Sequence, residues 1–239
     1  MRKLYEEKGV LFAVLWIVAY CLVLGTIKGS YGYDSPLMLT ALFAFAAGIC
    51  VFIKRNHLEK KYGLAGWPKD TKRFLYFIPL WILSTGNLWG GVQLKFHGAG
   101  LVCAVLSMAL VGFVEEMIFR GFLFKGMLAE GKPVPAVIVS SLTFGIGHIV
   151  NFLTGQAGFE TAVQIVFAVS LGFVFTMVCY KSGSLIPCII AHSLIDVFSL
   201  FAGDNAAADR IYVGATIVVS MIYCIYLCKA EKGVLHLAD

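Results

Sequence analysis

Residues 100–119 read GLVCAVLSMALVGFVEEMIF, an apolar run with two adjacent carboxylates, Glu115 and Glu116, near its end. A helix rises about 1.5 Å per residue, so a run of this length covers the roughly 30 Å hydrocarbon core of a bilayer. The stretch is therefore predicted to be a membrane-spanning helix that carries ionisable groups where lipid disfavours them.

Seven further stretches have the same apolar character. The eight together run approximately 10–27, 36–53, 74–91, 100–119, 134–153, 160–180, 184–201 and 211–228. None of them alternates apolar and polar residues, which disfavours a membrane β-barrel. The sequence predicts an all-α, polytopic membrane protein: one integral membrane domain over residues 1–239, with about eight transmembrane helices in a single bundle.

The composition excludes several other classes of protein. Hydrophobic residues make up 59% of the chain and charged residues only 14%, whereas soluble domains carry about 25% charged residues. Disordered chains lack this much apolar surface. The net charge of +5 is small and is explained below by helix orientation, so membrane lipid is the expected surrounding and no nucleic-acid partner is expected. The seven cysteines all lie in apolar stretches and are interpreted as packing residues.

The positions of the basic residues predict the orientation in the membrane. If the N-terminus is cytoplasmic, all but three of the 19 Lys and Arg residues fall in cytoplasmic segments, and Lys28, Lys95 and Arg210 fall outside. We therefore expect both termini on the cytoplasmic side. The residues placed in cytoplasmic segments are Arg2, Lys3, Lys8, Lys54, Arg55, Lys60, Lys61, Lys69, Lys72, Arg73, Arg120, Lys125, Lys132, Lys181, Lys229 and Lys232.

Ionisable residues inside apolar stretches are the candidate functional residues, because they are costly in a bilayer and usually mark function. They all lie in the second half of the chain, and the helices of residues 1–95 are interpreted as scaffold. The candidates, with one neighbouring amide, are Glu115, Glu116, Arg120, His148, Asn151, His192 and Asp196.

Residues four apart share one face of a helix. This spacing pairs Glu116 with Arg120, and the two side chains can neutralise each other. Glu115 lies about 100° further round the helix and faces another neighbour, which makes it the candidate general base. The alternative is that both glutamates lie at the cytoplasmic end of the helix and reach water.

A second motif places Phe144 and His148 on one helix face, with Asn151 one turn further on. Gly145 and Gly147 lie between them and are predicted to let a neighbouring helix approach closely. An isolated intramembrane histidine often does no more than hydrogen-bond to a neighbour. The interpretation of His148 as a functional residue therefore depends on the other two motifs.

His192 and Asp196 form a third pair four residues apart. Either they hydrogen-bond with each other, so that Asp196 orients the imidazole, or both face one reacting centre or metal ion. The whole set fits two kinds of hydrolysis. In one, a glutamate and a histidine activate water while the other pair stabilises an oxyanion. In the other, the groups bind Zn²⁺.

Taken in order, the three motifs resemble the CAAX-protease and bacteriocin-processing (CPBP, or Abi) family of intramembrane proteases, which carries EExxxR, FxxxH and HxxxN/D motifs on separate helices. The resemblance covers residues 100–200, the expected catalytic core. It implies an eight-helix bundle with a polar cavity open to the cytoplasm and to lipid. The motifs here are Glu115-Glu116…Arg120, Phe144…His148 and His192…Asp196.

The resemblance also implies a role for each motif. Glu115 and His148 would activate water, and His192 and Asp196 would face the scissile carbonyl and its oxyanion. The remaining residues, Glu116, Arg120, Phe144 and Asn151, would support the site. Asp196 replaces an amide that can donate to an oxyanion, so it must either be protonated to donate or serve to orient His192.

We therefore expect an intramembrane endopeptidase acting on a membrane-associated peptide or a lipidated protein tail, with no metal required and Zn²⁺ as the alternative. A non-enzymatic immunity or scaffolding protein of the same fold is the alternative function. A proton-coupled transporter is disfavoured because the polar residues do not form two repeated halves. The natural substrate and the oligomeric state are left open.

The drawn helix ends raise a difficulty of depth. His148 lies about 22 Å along its helix from Pro133, whereas Glu115 lies near the cytoplasmic end of 100–119. The two can meet only if the helix of His148 starts well above the membrane, or if the helix of Glu115 is longer than drawn.

Overall fold

Helices dominate the structure, a computed structural model that describes residues 2–230. Six of them are long and apolar enough to cross a membrane, and Ile186–Ser199 is a shorter apolar helix. The prediction of an all-α polytopic protein is confirmed. In chain order the helices are α1 (Arg2–Glu7), α2 (Gly9–Tyr31), α3 (Pro36–Arg55), α4 (Ile78–Ser84), α5 (Gly98–Glu116), α6 (Lys125–Leu128), α7 (Pro133–Gly147), α8 (Ile149–Leu153), α9 (Gly158–Ser182), α10 (Ile186–Ser199) and α11 (Ala206–Lys229).

The stretch 74–91 is not the long helix that its hydropathy predicts. It consists of a 3₁₀ segment, Thr71–Phe77, followed by α4 and a short 3₁₀ turn, Gly86–Leu88. The interruption occurs where Leu75, Tyr76 and Phe77 take positive φ values of 51°, 51° and 59°. Non-glycine residues in this left-handed region cannot continue a right-handed helix.

This broken segment still crosses the whole bundle beside α11. Near its start, the Tyr226 hydroxyl donates to the carbonyl of Arg73 over 3.0 Å. Near its end, the Tyr212 hydroxyl donates to the carbonyl of Leu83 over 2.9 Å. Between residues 2 and 230 the chain therefore crosses the bundle eight times, six times as long helices, once as the broken segment and once as α10, which agrees with the approximate number predicted.

Loop contacts define one end of the bundle, named here the basic end. The amide of Leu185 donates to the carbonyl of Gly63 over 3.1 Å, so the turn before α10 packs on the loop 56–70. The Lys125 ammonium donates to the carbonyl of Lys61 over 2.8 Å, which brings the end of α6 to the same loop. Because the passes are even in number, the described chain begins and ends here.

The opposite end, named the far end, carries the other loops. There the amide of Gly203 donates to the carbonyl of Gly91 over 3.0 Å, and the amide of Gln93 donates to the carbonyl of Phe201 over 2.9 Å. Lys95 forms an exposed ion pair with Asp204 at 3.6 Å. Fewer basic residues lie here than at the basic end, in keeping with the charge asymmetry of the sequence.

Three of the residues counted as loop charges lie within helical segments and are buried. Arg120 pairs with Glu116 inside the bundle, which makes its assignment to a loop wrong. Lys125 donates to the carbonyl of Lys61 in the loop 56–70, and Lys181 donates to the carbonyl of Ala230 just after α11, so both connect chain segments at the basic end. Lys232 lies outside the described residues.

Small residues set the closest helix contacts. A Cβ added at Gly112 of α5 would lie 2.5 Å from the amide nitrogen of Ser193 in α10. One added at Gly145 of α7 would lie 2.9 Å from the amide nitrogen of Val169 in α9, so the predicted close approach is confirmed at this glycine. The prediction is wrong at Gly147, where an added Cβ would lie 3.9 Å from its nearest neighbour, the ring of Phe119, and which lines a cavity instead.

Candidate active site

The three sequence motifs converge on one cavity of about 270 Å³, enclosed mainly by α2, α5, α7, α8 and α10. Two other motif residues, Glu116 and Arg120, lie directly behind its wall and are fully buried. The structure thus brings together all eight residues selected from the sequence. Those that line the cavity are Glu115, Phe144, His148, Asn151, His192 and Asp196.

The difficulty of depth is removed by the length of the Glu115 helix. Beyond α5 the chain continues through a π-helical segment, Met117–Phe124, into α6, giving one span of 31 residues, Gly98–Leu128. Glu115 is then about 20 Å from the basic end of its span, and His148 is about 22 Å from Pro133. The helix end drawn at residue 119 was wrong, and the two side chains lie at matching depth.

The π-helical segment begins immediately after Glu116, and all of its residues are buried. Such wide turns are rare and are found mostly at functional sites. The extra residue in each turn alters the face on which later side chains project. The segment therefore sets where Arg120 stands relative to Glu116 and to the helices around it.

Glu116 is the centre of a buried cluster. Its Oε1 accepts hydrogen bonds from Arg120 Nη1 over 2.7 Å and from His192 Nδ1 over 2.9 Å. The guanidinium of Arg120 lies 4.1 Å from the ring centroid of Phe144, and its Nη2 donates to the carbonyl of Gly172 over 3.3 Å. The predicted pair of Glu116 and Arg120 is confirmed. Glu116 also holds the imidazole, a role that the sequence had offered to Asp196.

His192 therefore presents its Nε2 to the cavity. This nitrogen lies 3.5 Å from Asp196 Oδ2 and 3.7 Å from Glu115 Oε2. Neither distance is a good hydrogen bond, so His192 and Asp196 do not simply satisfy each other. Asp196 Oδ2 has no hydrogen-bond partner among the described residues. Of the two predicted alternatives, the arrangement agrees with both side chains facing one centre.

The carboxylate of Glu115 is held from the scaffold half of the chain. Its Oε1 accepts a hydrogen bond from the Tyr20 hydroxyl over 2.7 Å, and Tyr20 is buried in α2. Sequence reasoning missed this residue, since a tyrosine in an apolar stretch carries no distinctive signal. The two partners are 95 positions apart, so no local spacing connects them.

His148 is held in one tautomer by the end of α7. Its Nδ1 lies 3.1 Å from the carbonyl of Phe144, which can only accept, so Nδ1 carries the proton. In the neutral imidazole, Nε2 is then the unprotonated acceptor, which is the form required of a general base. The spacing of Phe144 and His148 thus has a backbone function, in addition to the contact between the two rings at 5.5 Å.

Lys28, which the sequence placed outside the helices, lies in the last turn of α2 and lines the cavity. Its ammonium donates to Asn151 Oδ1 over 2.6 Å, and Asn151 Nδ2 donates to Gln164 Oε1 over 2.8 Å. This chain of contacts runs from α2 through α8 to α9. The supporting role predicted for Asn151 therefore involves partners that the motifs did not reveal.

The donor set does not form a zinc site as arranged. Among residues 2–230, no three His, Cys, Asp or Glu side chains are grouped to hold a metal ion. Catalytic zinc usually has three protein ligands. Glu116 contacts Nδ1 of His192, and the Phe144 carbonyl accepts from Nδ1 of His148, so these hydrogen bonds engage only one nitrogen of each ring.

The cavity lies in the half of the bundle away from the basic end. Its wall includes Lys28, Tyr33, Ser199 and Leu200, which are at or beside the loops of the far end. The sequence predicted that the termini are cytoplasmic and that the cavity opens to the cytoplasm, and these two predictions are incompatible. If the termini are cytoplasmic, the cavity does not face the cytoplasm.

Comparison with known families identifies the motif-bearing part of the chain. The family model described as Type II CAAX prenyl endopeptidase Rce1-like matches residues 97–198. These residues form an Rce1-like domain. The match confirms the family resemblance of the three motifs, all of which lie within it. A search of curated proteins and a search of solved structures found no match.

At the level of the family, the Rce1-like domain relates the chain to CAAX-type intramembrane proteases. Together with six apolar helices of sufficient length, it makes the chain an integral membrane protein. Tyr20 and Lys28 lie outside the matched residues. Their place at the cavity follows from the packing of α2 alone.

Proposed function

We propose that this protein is an intramembrane endopeptidase that hydrolyses a peptide bond of a membrane-associated peptide or a lipidated protein tail. The observation that carries the proposal is the shared cavity wall of Glu115 and His148. Glu115 offers a carboxylate, and neutral His148 with its proton on Nδ1 offers Nε2 as an acceptor. Ionisable side chains within membrane spans usually mark function.

In the proposed reaction, Glu115 and His148 orient a water molecule and accept its proton as its oxygen attacks the scissile carbonyl carbon. The resulting tetrahedral oxyanion is stabilised by a proton on His192 Nε2, which faces the same cavity. The accepted proton then passes to the amide nitrogen as the carbon–nitrogen bond breaks, leaving a carboxylate and a free amine.

Asp196 is proposed to act through His192. Its Oδ2 has no hydrogen-bond partner among the described residues and lies 3.5 Å from His192 Nε2. A carboxylate in this position favours the protonated imidazole that the oxyanion requires. The alternative, a protonated Asp196 that donates to the oxyanion directly, is separated by Asp196→Asn, which can donate but carries no charge.

The reaction is proposed to need no metal ion. The support for this is that no three His, Cys, Asp or Glu side chains are grouped to hold one among residues 2–230. Full activity after prolonged treatment with EDTA or 1,10-phenanthroline is the expected result. Loss of activity that returns specifically with Zn²⁺ would contradict it.

Purified protein in proteoliposomes, offered quenched fluorescent peptides, tests the proposed activity. Glu115→Gln and His148→Phe are each expected to abolish cleavage. Glu160→Gln is the matched control, because Glu160 is exposed and lies outside the cavity. Cleavage that survives both active-site substitutions would overturn the roles proposed for Glu115 and His148. No cleavage of any peptide by the unaltered protein would favour the alternative, a non-enzymatic immunity or scaffolding protein.

We also propose that the basic end is cytoplasmic, so that both described chain ends face the cytoplasm and the cavity faces the opposite side. The proposal is supported by the concentration of Lys and Arg at one end and by the cavity's position in the other half. It departs from the cytoplasmic opening expected from the family resemblance.

Single cysteines introduced into a cysteine-free variant test this orientation. In intact cells, a membrane-impermeant maleimide is expected to label Ser199→Cys at the cavity and not Lys60→Cys at the basic end. Both positions are exposed on the protein. The reverse labelling pattern would place the cavity on the cytoplasmic side.

A further inference from the structure

Tyr33 lies in the turn between α2 and α3 and lines the cavity, although the reaction described above gives it no role. Tyrosines near helix ends often form a belt at the membrane surface. Tyr31, at the end of α2, fits that description, because 62% of its surface is exposed. Tyr33 is instead half-buried and packs against a small buried cluster formed by Ala104, Met108 and Leu200. Membrane anchoring therefore does not explain its position.

The ring of Tyr33 is held from two sides. On one side is the buried cluster, whose member Leu200 follows Asp196 by four residues, about 6 Å along the helix. On the other side is Lys28 at the end of α2, with its ammonium 5.1 Å from the ring centroid, which is within the range of a cation–π contact. The ring is thus fixed beside the part of α10 that carries Asp196.

The hydroxyl of Tyr33 is available to a ligand. Three residues of the cavity wall carry hydroxyl groups, and two of them donate to protein atoms. Tyr20 donates to Glu115, and Ser199 donates to the backbone carbonyl of Asp196. The Tyr33 hydroxyl has no hydrogen-bond partner among residues 2–230.

The surroundings of Tyr33 keep this hydroxyl protonated. Burial raises the pKa of Tyr33, and the negative charges of Asp196 and Glu115 raise it further. The hydroxyl therefore lies within electrostatic reach of the two carboxylates that face His192 Nε2. A neutral hydroxyl in this place can donate a hydrogen bond to an anion without giving up its proton.

The proposed oxyanion lacks a second donor. His192 Nε2 supplies one hydrogen bond, whereas Asp196 can only accept while it is ionised. Oxyanion sites are built from preorganised hydrogen-bond donors, and tyrosine hydroxyls are among the groups that serve in them. Tyr33 offers such a donor on the same cavity wall.

We propose that Tyr33 is a catalytic residue whose hydroxyl donates a hydrogen bond to the oxyanion, alongside His192. The proposal rests on the proposed peptidase function and adds to it a residue from outside the Rce1-like domain. As the water oxygen bonds to the scissile carbon, the π electron pair of the carbonyl moves to its oxygen, and the hydrogen bond from Tyr33 strengthens with that charge. The hydroxyl keeps its proton, so the proton transfers through Glu115 and His148 are unchanged.

Tyr33→Phe removes the hydroxyl and keeps the ring. In proteoliposomes, on a quenched fluorescent peptide that the unaltered protein cleaves, it is expected to lower kcat about 100-fold with little change in KM. The temperature of thermal unfolding is expected to stay the same, since the ring still packs on its cluster. Tyr31→Phe, two residues away, is the matched control and is expected to keep full activity.

The binding of two ligands tests the same role without turnover. One ligand is the substrate peptide, and the other is the same peptide with a phosphinate in place of the scissile amide, which mimics the charged tetrahedral intermediate. Both are bound to Glu115→Gln protein and to Glu115→Gln/Tyr33→Phe protein. Loss of the hydroxyl is expected to weaken binding of the phosphinate by about tenfold or more, and binding of the substrate peptide by less than about twofold.

An unchanged kcat in Tyr33→Phe would overturn the proposal while leaving the peptidase function in place. Equal weakening of the two ligands would also overturn it, because Tyr33 would then support the shape of the cavity and not the oxyanion. Absence of cleavage by the unaltered protein would instead reject the peptidase function, and this proposal with it.

Discussion

Two groups of ionisable residues meet at His192 and differ in how their charges are satisfied. In the buried cluster, Glu116 accepts from both Arg120 and His192, and both Glu116 and Arg120 are fully buried. On the cavity wall, Glu115 and Asp196 face His192 Nε2 at distances too long for good hydrogen bonds. The first group is joined by short hydrogen bonds, although Glu116 Oε2 and Arg120 Nε have no hydrogen-bond partner among the described residues, and the second group faces the cavity.

The comparison teaches that neighbouring positions in a sequence can have opposite functions in a membrane protein. Glu115 and Glu116 are adjacent, yet the helix turns about 100° between them. One carboxylate therefore enters the protein interior and the other a cavity. The contrast predicts that substitutions in the buried cluster lower stability and that substitutions on the cavity wall lower activity.

Glu115→Gln is expected to separate the effect on activity from the effect on stability most clearly. Removal of the proposed general base should lower kcat by about 10⁴-fold, equivalent to about 5 kcal/mol, while stability changes little. Peptide cleavage and thermal unfolding of the same preparation measure both quantities. If Glu115→Gln lowers thermal stability as well as cleavage, the distinction between the two groups would be contradicted.

Arg120→Met is expected to have the opposite profile. It leaves Glu116 buried without its cationic partner, which should cost about 3–5 kcal/mol in the free energy of unfolding. Denaturant unfolding in mixed micelles is the measurement. The double variant Glu116→Gln/Arg120→Met is the control and should be more stable than the single variant, because no buried charge is left unpaired.

Gly112→Ala tests whether the two groups depend on close packing of α5 against α10. The added Cβ would lie 2.5 Å from backbone and side-chain atoms of Ser193, next to His192. Overpacking of this size should cost about 2 kcal/mol of stability and also reduce cleavage. Gly214→Ala is the matched control, since nothing lies within 4 Å of that position. Equal stability of the two variants would contradict close packing at Gly112.

The smallest effect is expected from Tyr20→Phe. Loss of the hydroxyl removes a 2.7 Å hydrogen bond from Glu115 and should lower kcat about tenfold without unfolding the protein. Tyr31→Phe, at the exposed end of the same helix, should leave kcat unchanged. If both variants retain full activity, Tyr20 does not position the carboxylate.

Much of the fold was accessible from the sequence because apolar length and helical spacing are local signals. They predicted the helical passes, the pair of Glu116 and Arg120, and the family of residues 97–198. What they missed depends on packing. The left-handed residues at Leu75–Phe77, the π-helical segment after Glu116 and the reach of Lys28 to Asn151 involve no periodicity that a single helix reveals.

The helix ends show the same limit in another form. Hydropathy falls at Arg120, so the span was drawn to end at residue 119, whereas the helix continues to Leu128 because Glu116 pairs with the arginine inside the protein. A charge that is neutralised by tertiary contacts looks like a boundary in the sequence. A helix end at residue 119 instead of Leu128 places Glu115 too close to the basic end, by more than the four residues that separate the paired residues of each motif.

The position of α2 has a consequence for the modularity of the protein. Residues 97–198 carry the hydrolytic groups, but α2 supplies one wall of the cavity through Tyr20, Leu24, Gly25 and Lys28. A chimera that joins residues 97–198 to unrelated N-terminal helices would keep the hydrolytic groups but lose the cavity wall that α2 provides. Specificity in this architecture can therefore diverge through the N-terminal helices while the motif-bearing segment stays the same.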